Sequence, residues 1–159
     1  MVNNPVKNIQ DQHYMSLKFD KIFIDEEYSK PEFRCPTKAA INKLASRFEL
    51  LNTSDMQDWE WEVATPKRID EFLSAYKKEP LDNDEKFTLL EILLQSFEYS
   101  EEELNNSYRW QELLKLIESN FQLHAYSVWY WADFENDNLG DEWRITLFMR
   151  KLYKKHAAD

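Results

Sequence analysis

One glycine, Gly140, serves the whole 159-residue chain, and that scarcity removes more folds than any motif adds. Phosphate-cradling loops need glycine where backbone must approach a ligand or take positive φ, so neither a Walker nor a Rossmann site can be written onto this sequence. Two-residue hairpin turns draw on Asn-Gly, Asp-Gly and Gly-Gly pairs, so an all-β fold is also disfavoured. The expectation is a mainly α protein: a single-domain helical bundle over residues 1–159, frayed at 1–13 and 155–159, with a minor β component. An α+β fold is the alternative. At this size roughly 70% of the unfolded chain's surface is buried on folding, so no disulfide or metal staple is needed.

Apolar spacing places the helices. Pro36 suits the first turn of a helix running to about Leu51, with Ile41, Leu44, Phe48 and Leu51 on one stripe. Thr65 followed by Pro66 is a cap and first-turn signal. Ile69, Phe72, Leu73 and Tyr76 then supply an apolar face until Pro80 stops the helix. Asp82 and Glu85 stand three apart like a capping box, ahead of an apolar run from Phe87 to Phe97 that predicts a central helix. Ser100 and Glu103 repeat that signal before a helix carrying Leu104, Trp110, Leu113, Leu114 and Ile117.

Three segments read as extended. Tyr14 to Ile24 alternates Met15, Leu17 and Phe19 before a one-residue slip to Phe23. Asp58 to Val63 alternates Trp59, Trp61 and Val63 against Asp58, Glu60 and Glu62. Phe121 to Phe134 is rich in β-prone rings, and with Trp143 to Leu147 it predicts a hairpin across 121–147 turned by Glu135 to Asp141. Thr146 equally suits the start of a terminal helix carrying Leu147, Met149, Arg150, Leu152 and Tyr153.

The net charge of −10 is unevenly spread: residues 51–143 hold 22 acidic and 7 basic side chains, whereas 144–159 hold 1 and 5. An acidic block of this kind repels phosphate backbones, which argues against direct nucleic-acid binding, and it attracts basic proteins. The longest uncharged stretch, Ser119 to Ala132, is 14 residues, short of the ~18 needed to cross a bilayer. Cys35 is the only cysteine, and Met1 to Asp11 shows no basic-then-apolar leader. The expectation is a cytoplasmic protein with no membrane partner.

Familiar site chemistries are missing. Asp133, Glu135 and Asp137 have the one-three-five spacing of a calcium loop, but Asn138 replaces the glycine at position six and Arg144 the bidentate glutamate at twelve. Asp82 and Asp84 fail likewise, with Leu93 at twelve. His13, His124 and His156 have no metal-ligand partner nearby in sequence, and His124, among aromatics, reads as a satisfied core residue. With 30 acidic residues, carboxylate pairs arise by chance, so spacing selects no acid–base pair. No metal, cofactor or catalytic residue is predicted.

Six tryptophans are a heavy load, and most are expected in the core. The exception is Asp58 to Glu62, where tryptophans and carboxylates alternate as in an anchor site for a basic partner. The expected partner-binding residues are Asp58, Trp59, Glu60, Trp61 and Glu62, with Asp133, Glu135, Asp137, Asp141 and Glu142 from the second acidic region.

As one small acidic domain without catalytic apparatus, the chain resembles the small bacterial immunity proteins that neutralise a cognate toxin. The resemblance is of type and carries no motif, so no family residue is transferred. It implies a basic toxin or nuclease as partner and inhibition by occlusion, with the 58–62 and 133–142 carboxylates pairing with the partner's substrate-binding cations. A DNA-mimicking inhibitor and a small enzyme using a carboxylate with His124 are the alternatives.

Overall fold

The computed structural model describes residues 30–136, 138 and 140–157, and among these the chain forms seven α-helices, two short 3₁₀ turns and no strand. The mainly α bundle is therefore observed and the β component is not. The alternating segment 14–24 and the frayed start at 1–13 lie outside the described residues.

Helix α1 spans Lys38–Phe48 and starts at Thr37, whose Oγ1 accepts from the Ala40 N–H at 3.1 Å. It ends at Glu49 in the left-handed region, φ 54°. Leu51 therefore falls beyond the helix and is 69% exposed rather than on the buried stripe with Leu44 and Phe48. Helix α2, Trp59–Glu62, is a single turn. A 3₁₀ turn at Pro66–Arg68 leads into α3, Ile69–Lys78, where Asp70 and Glu71 lie in the first turn and Lys77 and Lys78 in the last, each matched to the helix dipole.

The central helix α4, Asn83–Tyr99, begins with the expected capping box: Asp82 Oδ1 accepts from the Glu85 N–H at 2.8 Å and Glu85 Oε1 accepts from the Asp82 N–H at 3.4 Å. Every residue from Phe87 to Phe97 is buried, because α1, α2, α3 and α6 all pack against this helix. A helix enclosed on all sides is apolar all round.

The second capping box does not form. Ser100 closes α4 instead, its hydroxyl donating to the Phe97 carbonyl at 2.7 Å. After a 3₁₀ turn at Leu104–Asn106, helix α5, Tyr108–Ser119, starts from Ser107, whose Oγ accepts from the Trp110 N–H at 3.1 Å.

The predicted hairpin is also replaced. Phe121–Ala132 is helix α6 and Thr146–His156 is α7, packed along it. Phe121, His124, Val128 and Trp131 recur at helical spacing and are all buried, so tertiary burial overrides the β preference of the individual rings. The terminal-helix reading of Thr146 holds, and Thr146 Oγ1 donates to the Trp131 carbonyl at 2.9 Å. Helix α7 continues through Lys155 and His156, both close to Glu118. No helix among the described residues is long and apolar enough to cross a membrane.

Candidate functional site

The charged residue at the middle of the apolar central helix organises the site. Glu91 is 5% exposed, and its Oε2 accepts from two indoles, Trp61 Nε1 at 3.2 Å and Trp131 Nε1 at 3.1 Å. Burial pushes the Glu91 carboxyl above the ordinary carboxylate range. Ser127, Trp131 and Trp61 pull in the opposite direction.

Glu91 faces a pocket of about 200 Å³ built where three helices and the segment before α1 meet. Helix α4 contributes Phe87 and Glu91 one turn apart, and α6 contributes Tyr126 and Tyr130 at the same spacing. The turn α2 adds Glu60 and Trp61, and Asp58 precedes them with φ 48°. Arg34 also lines the pocket, but its guanidinium is engaged by Asp84 at 2.9 Å and lies over the Phe87 ring.

A second buried carboxylate stands beside the first. Glu60 is 8% exposed, and burial raises its pKa, with the charges of Glu91 and Asp58 adding to the effect and its own backbone amide opposing it. From the pocket wall outward, Trp61, Tyr130 and Trp143 form a row of rings with centroids 5.8 and 5.7 Å apart, the first two lining the pocket. The Tyr130 phenol is raised by burial and then by the charges of Glu91, Asp58, Tyr126 and Asp133. Asp58 and Asp133, distant in sequence, thus act on one hydroxyl.

The alternation expected at 58–62 is corrected. In a single helical turn Trp59 and Trp61 do not share a face: Trp59 is 4% exposed and donates to the Leu51 carbonyl at 2.7 Å, anchoring the preceding loop. Glu60 is buried and Glu62 exposed, with Glu62 Oε1 accepting from the Gln57 N–H at 2.8 Å. In the second region Asp133 caps the end of α6 at φ 47°, Glu135 is exposed, and Asp141 Oδ2 accepts from Asn138 Nδ2 at 2.6 Å. Glu142 is half-buried, with Oε2 unpartnered. Asp137 lies outside the described residues.

The structure therefore brings Asp58, Glu60 and Trp61 onto one pocket wall with Tyr130 and leaves Trp59, Glu62, Asp133, Glu135, Asp141 and Glu142 off it, Asp133 acting on the Tyr130 phenol only through its charge. Sequence reasoning missed Glu91, although a signal was present. It is the only charged residue between Phe87 and Phe97, and a lone acid inside a fully apolar helix is a buried charge that must find donors. His124 is not on the pocket wall. It is fully buried beside Tyr76, and its pKa falls to about 3 through burial, with the charges of Arg34 and Lys86 reinforcing the shift. Among the described residues no group of three His, Cys, Asp or Glu side chains is placed to hold a metal ion. Comparison with protein-family models, with curated proteins and with solved structures finds no match for this chain.

Proposed function

We propose that this chain is a protein-binding inhibitor of the immunity type, which occludes the substrate-binding surface of a basic toxin or nuclease. The observation that carries the reading is a row of half-buried rings, Trp61, Tyr130 and Trp143, with Asp58 on the adjoining pocket wall and Asp133 at the end of the helix that carries Tyr130. Neither aspartate is engaged in an ion pair within the described residues. Half-buried aromatic anchors bordered by free carboxylates suit a lysine- and arginine-rich partner.

Two alternatives find less support. A DNA mimic needs carboxylates free along a surface, yet many helical acids are held in internal pairs, among them Glu71 with Arg68, Glu79 with Arg47 and Glu112 with Lys77. The carboxylate–histidine enzyme needs His124 in the cleft, and it is sealed in the interior.

The test is affinity capture from the native cell, followed by assay of the recovered protein. A basic enzyme released by high salt and inhibited by stoichiometric amounts of this chain is the expected result. Asp58→Asn with Asp133→Asn removes both charges while keeping residues that tolerate the left-handed backbone, and it should slow association about tenfold. An acidic partner, or binding indifferent to salt and to these substitutions, would defeat the reading.

A further inference from the structure

We propose that the Glu91 pocket takes the guanidinium of an arginine carried by the partner, an assignment that rests on the inhibitor reading above and names what its docking face grips. The pocket's volume of about 200 Å³ is the space of roughly seven waters, a size that a guanidinium on a short alkyl stem fills. Among the described residues, three carboxylates line it, Asp58, Glu60 and Glu91, against one cation, Arg34, which Asp84 already engages.

Two of these carboxylates are buried with acceptor capacity unfilled. No side chain among the described residues donates to Glu60, which is 8% exposed. Both indoles on Glu91 converge on Oε2, and no hydrogen bond among the described residues reaches Oε1. Buried acceptors of this kind are costly unless something supplies donors. The rings of Phe87, Trp61, Tyr126 and Tyr130 line the walls, and a ring that turns its face to the pocket attracts a cation through its quadrupole.

Arginine fits better than lysine. A guanidinium is planar, stacks on rings, is weakly hydrated and presents five donors in a fork able to reach two carboxylates. An ammonium is a strongly hydrated point charge that loses more on leaving water.

The test follows the indole N–H resonances of Trp61 and Trp131 while the intact chain is titrated with propylguanidinium, with propylammonium, and with the neutral isostere propylurea. Both indole signals should move saturably with propylguanidinium and stay put with propylurea. Glu60→Gln should weaken the response about tenfold while leaving the circular dichroism spectrum unchanged, and Glu91→Gln should do the same. Equal responses to propylurea, or none to propylguanidinium, would overturn the pocket assignment, and a tighter fit for propylammonium would overturn the choice of arginine. A chain that binds its basic partner undisturbed by saturating propylguanidinium loses this proposal and keeps the docking face. A chain that saturates with propylguanidinium yet captures no basic partner keeps the pocket chemistry and loses its source in a partner protein.

Discussion

The Tyr76 hydroxyl and His124 Nε2 lie 2.5 Å apart in the interior, and the second ring nitrogen, Nδ1, has no hydrogen-bond partner among the described residues. A ring so placed is held neutral, and its pKa of about 3 against an ordinary 6.5 makes it an acid-sensitive element. The folded pKa is depressed, so the neutral ring's contribution to stability is complete above 6.5. It is lost as pH falls from 6.5 towards 3, because only the unfolded chain takes up the proton. His124→Gln should flatten that part of the profile. Urea midpoints measured at pH 7, 5 and 4 check it; parallel curves for variant and parent would remove His124 from the account.

Arg150 predicts a different kind of loss. It is 8% exposed, and its guanidinium donates to three carbonyls at the end of α6, those of Ala132 at 2.6 Å, Asp133 at 2.7 Å and Asn136 at 3.1 Å. One planar fork thereby ties the loop after α6 to α7. Arg150→Lys keeps the charge but cannot span these acceptors, and leaving buried carbonyls unsatisfied costs about 1–3 kcal/mol. Thermal unfolding should show a midpoint lower by several degrees, and an unchanged midpoint would mean that water replaces the fork without penalty.

How far the sequence reaches differs between helices. Asp82 and Glu85 announce α4 because a capping box is local chemistry, complete within four residues. Ser100 and Glu103 carry the same signal at the same spacing and fail because Ser100 is engaged by the end of the preceding helix, a demand that no window of sequence displays. The α6 segment misleads for a related reason: its rings prefer strands singly, while the contacts that make it a helix come from α4, α5 and α7. At the site, the acidic segments 58–62 and 133–142 were legible as charge, but that Asp58 and Glu60 share a pocket wall with Tyr130 is a tertiary fact. Glu91 was legible as an anomaly, although only the structure supplies its two indoles.

Scarcity of glycine has a measurable consequence. Gly140 does not need to be glycine, since its φ is not positive and an added Cβ would meet only Asn138 Oδ1 at 3.6 Å. The left-handed positions are held instead by Glu49, Asp58 and Asp133. At Glu49 the geometry is that of a helix end, with its own N–H and that of Leu50 both donating to the Ala45 carbonyl. Glu49→Gly should stabilise the fold by up to roughly 1 kcal/mol, the strain that a Cβ carries there. Gly140→Ala should be close to neutral. Chemical denaturation of both variants checks the pair, and a destabilised Glu49→Gly would show that the glutamate makes a compensating contribution.

Glu91 sets stability against binding. Its folded pKa is raised, so the stability it contributes is complete below the ordinary carboxyl value of 4.5 and is lost as pH climbs through the raised value. Glu91→Gln cannot ionise, yet its side-chain oxygen can still accept from Trp61 and Trp131. The variant should therefore unfold at a higher temperature than the parent once the pH exceeds the raised pKa, by roughly 2–4 °C for each kcal/mol recovered. The two should converge as the pH drops to 4. The same substitution should weaken capture of the basic partner, because the buried charge is what a guanidinium would neutralise. A residue that destabilises the isolated fold and strengthens the complex is the signature of a site kept for binding. If Glu91→Gln lowers stability at every pH while leaving partner affinity intact, the carboxylate is a structural acceptor for two indoles, and the pocket is an incidental gap beside it.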